Sequence, residues 1–447
     1  MVILGLGCNI GDRLANLRMA LQHLSMNSSL KIQRVSPVYE SDALLLPDSP
    51  EEWNLPYLNI AIKITTTLSP EQLLEVIKDI EVTMGRIFEF RWSPRIIDID
   101  ILAWGSESYQ SENLTIPHRS LLERPFALWP LTDLEPNWRY CGLHDTRTEE
   151  TAENLAMVFG SRFDGKAPLG TKQIAHRVDT PYMMGIINLT SDSFSDGGKY
   201  LNVTAAYEQA RLLFESGVDI IDVGAEATGP GVTNTLSVEE EWRRLQPFLD
   251  GWQLFWQDKK FRPQLSIDTS KPQIVEQLLS YKVDFYNIVH GLDSIAMVDL
   301  LKESTAKIIC MHSLGVPSNF KVTLSDDVDV VSSVYDWGKR QLEFLITQGI
   351  KRERLIFDVG IGFGKNSAQS MELLRNIEKF NELGVKLLVG HSRKSFLNMY
   401  TNLPPMERDI ETAVLSWYCH KCRVSYLRVH NVSYTLRVLK MLAMVME

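Results

Sequence analysis

The sequence predicts two domains, a small α+β unit followed by a (β/α)8 barrel, and three observations carry that expectation. The length, 447 residues, suits one small domain beside a barrel of roughly 250 residues. The composition, 45% hydrophobic, 23% charged and 9% aromatic, is that of an ordinary globular chain able to bury large cores. The pattern along the chain changes once: short strands mixed with two amphipathic helices give way to a regular alternation of apolar runs and helical stretches. The expected limits are residues 1–160 for the first domain, 161–178 for a linker and 179–447 for the barrel.

In the first domain the runs VILGLG, YLNIAIKIT and IIDIDILAW read as strands, and residues 12–25 and 70–83 as helices, the second opened by the cap-like Ser69-Pro70-Glu71. The segment SRFDGKAPLGTKQIAHRV mixes Gly, Pro and charge without periodicity, as linkers do. Beyond it, MMGIINL, DIIDVG, QLSID, DFYNIV, KIICMH, RLIFDV, KLLVG and SYLRVH are eight candidate strands separated by helical patterns, the signature of parallel βα units. Each ends in polar residues: Asn188, Asp222 with Glu226, Asp268, Asn287, His312, Asp358, Lys394, and Arg428 with His430. A closed barrel brings those ends to one face, where its active sites are built.

Net charge and cysteine usage narrow the function. With 56 acidic against 46 basic residues and a formal charge of -10, the chain lacks the basic balance of a nucleic-acid binder. No run approaches the roughly 18 apolar residues of a membrane span, and no basic leader precedes the apolar start MVILGLG. The expectation is a cytoplasmic protein without nucleic-acid or membrane partners. The five cysteines are scattered; Cys419 and Cys422 have redox or metal spacing but no second pair, and they follow an apolar helical run, so they read as core.

The strongest local feature is Arg91-Trp92-Ser93-Pro94-Arg95-Ile96-Ile97-Asp98-Ile99-Asp100. On a strand Asp98 and Asp100 share a face, about 6.5–7 Å apart, while Ile97, Ile99 and Ile101 face the core. Paired carboxylates suit Mg²⁺, which binds through one or two of them together with phosphate oxygens and water, so a magnesium nucleotide is the natural ligand class. Arg86, Arg91, Arg95, His118, Arg119 and Arg124 supply local positive charge for a polyphosphate in an otherwise acidic chain. In the barrel, Asp358-Val359-Gly360-Ile361-Gly362-Phe363-Gly364-Lys365 lets backbone approach a flat or phosphorylated ligand. Gly390-His391-Ser392-Arg393-Lys394 puts cations at the end of strand seven, where barrels commonly bind phosphate.

With these motifs in hand, residues 1–160 resemble 6-hydroxymethyl-7,8-dihydropterin pyrophosphokinases: GLGCNIGDR, YLN, RWSPRIIDIDILAWG and LTIPHRSLLERPFALWPL all match. The resemblance implies a ferredoxin-like α+β fold and transfer of the β,γ-pyrophosphoryl group of ATP to the pterin hydroxymethyl group, with release of AMP. It implies that Asp98 and Asp100 hold Mg²⁺ and that Arg86 and Arg95 are catalytic, contacting the transferring phosphates. Glu81, Arg86, Trp92, Arg95, His118 and Arg124 would bind the nucleotide, and Tyr57, Asn59 and Phe126 the pterin. Cys8 stands where Ser is usual.

Residues 180–447 resemble dihydropteroate synthases through MGIINLTSDSFSDGG, IIDVGAEATGPG, SIDTSKP, MHSLGVP, FDVGIGFGKN, LLVGHSRKSFL and LRVHNV. The resemblance implies a TIM barrel that couples p-aminobenzoate to 6-hydroxymethyl-7,8-dihydropterin pyrophosphate, giving 7,8-dihydropteroate and pyrophosphate. Asp268, Asn287, Asp358 and Lys394 would bind the pterin, with Asp268 and Lys394 catalytic. Asn188, Thr228, Arg428 and His430 would hold the pyrophosphate, Asn188 also Mg²⁺, and Phe194, Phe363 and Ser395 p-aminobenzoate. Gly229 stands where that family carries an Arg. The rival expectation is therefore an active kinase fused to a catalytically impaired, pterin-binding barrel that serves as scaffold. A homodimer through the barrel is a further implication.

Overall fold

The computed structural model describes residues 1–86, 93–142, 147–189, 203–226, 235–257, 262–290, 292–319 and 321–446. Two compact units divide the chain, Met1–Asp179 and Thr180–Glu447.

The first unit is built on a six-stranded sheet. Five of its strands are β1 (Val2–Cys8), β2 (Leu30–Val35), β3 (Tyr39–Ser41), β4 (Tyr57–Thr66) and β5 (Asp98–Trp104), the sixth comes from residues 172–173, and a small hairpin, β6 (Tyr109–Gln110) with β7 (Thr115–Ile116), lies off it. Helices α1 (Arg13–Met26), α2 (Pro70–Thr83), α3 (Pro125–Leu134) and α4 (Ala152–Met157) complete the mixed α/β unit. Both early helices start on caps legible in the sequence: Asp12 accepts the Ala15 N–H, and Ser69 with Gln72 forms a capping box ahead of Pro70. β1 lies between β4 and the edge strand β5, antiparallel to both, so Gly5 lies opposite Asp100 and Gly7 opposite Asp98.

The segment expected as a linker, 161–178, instead belongs to this unit. Lys172–Gln173 forms an eighth strand, β8, that pairs with β3 through Tyr39 and Glu40. The segment is anchored elsewhere too: the Arg162 guanidinium pairs with Asp133, the Ile174 N–H donates to the Val38 carbonyl at 2.9 Å, and His176 is buried. A strand of two residues has no readable period, so composition alone suggested a loop.

The second unit is a closed barrel of eight parallel strands, β9 (Tyr182–Asn188), β10 (Ile220–Gly224), β11 (Gln264–Thr269), β12 (Phe285–Ile288), β13 (Lys307–Met311), β14 (Leu355–Asp358), β15 (Lys386–Val389) and β16 (Tyr426–Val429). Around it run α5 (Val203–Glu215), α6 (Val238–Phe255), α7 (Pro272–Leu278), α8 (Ile295–Lys302), α9 (Val330–Thr347), α10 (Ser367–Arg375), α11 (Asp409–Lys421) and α12 (Val432–Met446). Strand residues facing the helices join one large apolar core that includes Ile221, Ile267, Tyr286 and Leu427.

Inside the barrel a separate apolar layer, Met184, Ile220, Phe285, Ile309, Ile356, Leu388 and Tyr426, closes the lumen. Side chains two residues further along a strand point the same way. Directly above that layer, toward the C-terminal mouth, therefore stand Asp222, Asn287, Asp358 and Arg428, joined by Asp268 on β11. The fold thus converts a period of two into a polar layer resting on an apolar floor.

Cys419 and Cys422 are both buried free thiols in and just after α11, and burial raises both pKa values. Among the described residues no helix is long and apolar enough to cross a membrane.

Candidate active sites in the two units

In the first unit a concavity of about 740 Å³, open to solvent, lies over the C-terminal half of β1 and the start of β5. Its floor is kept low by glycine: a Cβ on Gly7 would meet Asn59 Oδ1 at 3.0 Å, and one on Gly5 would meet Leu102 at 3.0 Å. Asp98, Asp100, Arg95, His118, Arg124, Tyr57, Asn59 and Phe126, eight of the residues expected at this site, line it together. Ile97, Ile99 and Ile101 are buried beneath, as strand alternation requires.

The electrostatics separate the two carboxylates. Asp98 accepts from Arg86 at 2.5 Å and from Arg95 at 2.9 Å. Burial works to raise its pKa, but the two guanidiniums outweigh it and hold the group below the usual carboxylate range. Asp100 is different: burial, reinforced by the charge of Asp98, pushes it up to about 7. Burial, together with Arg124 and Arg119, pulls His118 down to about 4, so its ring is neutral at pH 7. Arg124 lies 5.9 Å from the Phe126 ring centroid. The Asn59 amide donates to Ser41 Oγ at 3.0 Å, which turns its carbonyl oxygen toward Gly7 and the cleft.

Glu81 takes a different place from the one expected. It is fully buried on α2 and accepts from the Ile99 N–H at 2.7 Å, from Lys78 at 2.8 Å and from Arg86. Its carboxylate lies beneath the cleft and ties Arg86 to the edge of β5. Ser41, Asp42 and Leu44, just after β3, also line the cleft; no motif marked them, because a loop wall depends on how the chain returns over the sheet. Trp92 lies outside the described residues.

In the second unit the polar layer at the barrel mouth is tightly connected. Arg428 donates from Nε to Asp222 at 2.6 Å and from Nη2 to Asp268 at 3.0 Å. Asn287 donates to the same Asp222 at 3.1 Å. Among the described residues Asp268 Oδ1 is buried without a hydrogen-bond partner; burial pushes this carboxylate up to about 7 against the pull of Arg428, with Asp222 adding to the rise. Asp358 is raised by burial, and Lys394 is brought down by burial to about 8 despite the nearby Asp358. The Lys394 ammonium donates to the Ile361 carbonyl at 2.6 Å and sits 4.7 Å over the Phe363 ring centroid.

The loop 360–364 is held from below. Lys365, buried, donates to the His312 carbonyl at 2.9 Å and the Gly360 carbonyl at 3.0 Å, and its Nζ is 2.6 Å from His312 Nδ1. His430 Nδ1 lies 3.0 Å from Ser392 Oγ, and burial lowers the imidazole to about 3. Asn188 is exposed at the end of β9, and Ser395 is partly buried where the chain turns after Lys394. Thr228, Gly229 and Phe194 lie outside the described residues.

A ferredoxin-like sheet carrying paired carboxylates and guanidiniums in a cleft, followed by a barrel with acidic, amide and cationic groups at its mouth, defines a two-site transferase for phosphorylated small molecules. Comparison with known proteins gives the family. Residues 3–136 match the profile of 7,8-dihydro-6-hydroxymethylpterin-pyrophosphokinase, and residues 184–430 that of pterin binding enzymes. The folate synthesis bifunctional protein of Chlamydia muridarum is 38% identical over 445 residues, covering 98% of this chain and 96% of that protein. The mitochondrial folate synthesis bifunctional protein of Arabidopsis thaliana is 32% identical, covering 96% of this chain and 80% of that protein.

Among solved structures, a dihydropteroate synthase from Anaplasma phagocytophilum with bound 6-hydroxymethylpterin-monophosphate is 34% identical, with a TM-score of 0.54, over 60% of this chain and 100% of that one. One from Xanthomonas albilineans in complex with 7,8-dihydropteroate is 30% identical, TM-score 0.52, over 60% and 95%. The chain belongs to the family of folate synthesis bifunctional proteins. It is a bifunctional transferase of folate synthesis, a pyrophosphokinase unit followed by a pterin-using synthase unit.

Proposed function

We propose the following division of labour between the two sites. In the first, ATP and 6-hydroxymethyl-7,8-dihydropterin lie together in the cleft, and Arg86 and Arg95 meet the transferring phosphates. His118 and Arg124 hold the nucleotide, while Tyr57, Asn59 and Phe126 hold the pterin. Phosphoryl transfer is mostly positioning and charge neutralisation, which is what fixed guanidiniums supply. Trp92 belongs to the same nucleotide set by its place in the motif, and Glu81 contributes by fixing Arg86.

Mg²⁺ fits the donor set. Asp98 and Asp100 share one strand face in the cleft, and the charge of Asp100 buried beside Asp98 is the kind that a divalent cation relieves. A bound Mg²⁺ neutralises carboxylates and phosphate oxygens together; Asn188 is the corresponding proposal in the second unit.

In the second site the hydroxymethyl carbon, now carrying pyrophosphate, is attacked by the amine of p-aminobenzoate. Asp268, Asn287, Asp358 and Lys394 take the pterin, and Asp268, buried with a free oxygen, stabilises positive charge on the ring as the C–O bond weakens. Arg428, His430 and Thr228 receive the pyrophosphate, and Phe363, Phe194 and Ser395 form the slot for the arylamine. The exposed stripes Ile410, Val414, Tyr418 on α11 and Tyr434, Met441, Val445 on α12 support a homodimer through the barrel. A cytoplasmic location completes the proposal, in keeping with the acidic, ordinary composition.

The observation that carries the reading is Asp98, paired with Arg86 and Arg95 and sharing the cleft with Asp100, beside the Tyr57–Asn59–Phe126 wall. The test is one incubation with 6-hydroxymethyl-7,8-dihydropterin, ATP, Mg²⁺ and p-aminobenzoate, read by mass spectrometry. AMP with dihydropteroate is the expected result. AMP alone would point to the scaffold barrel, and ADP would overturn pyrophosphoryl transfer.

A further inference from the structure

One carboxylate at the barrel mouth has no part in the roles above and yet touches two of the residues that do. Asp222 on β10 is fully buried. Its Oδ1 accepts from Ser266 Oγ at 2.5 Å, and its Oδ2 accepts from Asn287 Nδ2 at 3.1 Å and Arg428 Nε at 2.6 Å. We propose that Asp222 is the positioning residue of the synthase site, fixing which way the Asn287 amide and the Arg428 guanidinium face the pterin pyrophosphate.

The argument is one of hydrogen-bond direction. An ionised carboxylate only accepts, so Asn287 must present its NH₂ to Asp222 and therefore its carbonyl oxygen away from it. A ring that offers N–H groups, as a dihydropterin does, meets an acceptor there rather than a donor. Arg428 is held at two of its nitrogens, Nε by Asp222 and Nη2 by Asp268, so its plane is set before a ligand arrives. Ser266 holds the carboxylate from the far side. The charged groups of the same layer are Asp268 on β11, Asp358 on β14, Lys394 after β15 and Arg428 on β16, and of these Asp268 and Arg428 act directly on Asp222. The negative charge of Asp222 also contributes to the raised pKa of Asp268. In Asp222→Asn the new amide can donate as well as accept, so the Asn287 flip is no longer dictated and the guanidinium loses its charged partner at Nε.

This inference rests on the reading of the barrel as a dihydropteroate-forming site, so the wild-type chain is assayed first. No dihydropteroate from wild type sinks that reading and this inference with it. With wild type active, Asp222→Asn is expected to raise KM for the pterin pyrophosphate about tenfold or more, the loss of a charge-assisted contact. KM for p-aminobenzoate stays within about twofold, and AMP production by the first unit of the same chain is unchanged. A double variant, Asp222→Asn with Asn287→Asp, restores a one-way amide-to-carboxylate pair and is expected to recover part of the loss. If Asp222 merely stabilises the barrel, Asp222→Asn lowers the melting temperature and the active fraction and leaves both KM values alone, which overturns the proposal. Should that variant not fold, Ser266→Ala removes one support of the carboxylate and leaves its charge. A pterin KM raised about threefold then supports the role, and an unchanged one refutes it.

Discussion

Replacing Glu81 by Ala tests whether a buried carboxylate beneath the cleft organises the kinase site. The structure gives it three donors: the Ile99 N–H at 2.7 Å, Lys78 at 2.8 Å, and Arg86. Stranding the buried Ile99 N–H costs about 1–3 kcal/mol. Breaking a buried ion pair outright costs about 3–5 kcal/mol, but only a fraction applies here. Arg86 keeps Asp98, and Lys78 is 43% exposed and can return to water. A total of about 3 kcal/mol follows. For a unit the size of Met1–Asp179, about 2–4 °C per kcal/mol translates that into a loss of about 6–12 °C in Tm. Differential scanning calorimetry on the full chain is the assay, with AMP and dihydropteroate production followed separately. The expected pattern is a lowered transition for the first unit, kinase kcat/KM down about tenfold or more because Arg86 loses one of the two carboxylates that fix it, and unchanged dihydropteroate formation from supplied pterin pyrophosphate. Glu81→Gln, which keeps an acceptor for Ile99, should lose roughly half as much stability. A shift under about 2 °C, or an equal loss in the synthase, would refute the reasoning.

Asp98→Asn and Asp100→Asn should each lower AMP formation about a hundredfold or more, with a weaker Mg²⁺ dependence of nucleotide binding read by isothermal titration calorimetry. Gly360→Ala places a Cβ 1.9 Å from the His312 carbonyl oxygen at a φ of +68°; the expected cost is at least about 1–3 kcal/mol of barrel stability, with dihydropteroate formation lost and AMP formation kept. For the synthase, kcat/KM against pH should be bell-shaped. Protonation of Asp268 as pH falls through about 7 removes the charge that stabilises the pterin cation, and deprotonation of Lys394 as pH rises through about 8 removes a cation. Asp268→Asn should abolish the acid limb, and a flat profile in wild type from pH 5 to 9 would contradict the assignment.

What could be read from the sequence follows from range of interaction. All eight barrel strands were legible because a strand buried on both faces is a continuous apolar run closed by polar residues. The strand 30–35 was missed because LKIQRV alternates with charges on an exposed edge, and 39–41 because three residues carry no period. PFALWPLTDL escaped as a helix because most of it is buried and none of it is exposed, leaving no polar face to mark the turn of 3.6. At the sites, motif residues that line the cleft were legible as motifs. The inward turn of Glu81 and the bond between Asp222 and Arg428, 206 residues apart, were not, since only closure of the sheet or barrel creates those neighbours.

Both sites use the same electrostatic device, and it bears on why the chain tolerates so much buried charge. In the first unit Asp98 and Glu81 pair with Arg86 and Arg95; in the second Asp222 and Asp268 pair with Arg428. A guanidinium left alone in such a place would destabilise the fold by several kcal/mol, and pairing offsets that desolvation cost. It also fixes the plane of the guanidinium. An arriving pyrophosphate therefore meets donors that are already oriented, and the ordering cost that a free Arg side chain would impose on binding has been met in folding. The price is competition, since each carboxylate repels the anion its arginine attracts. In the first unit the cation proposed at Asp98 and Asp100 removes that repulsion. In the second the carboxylates lie in the layer proposed for the pterin, where a ring that becomes positive as pyrophosphate departs turns the same charge into an attraction that grows along the reaction.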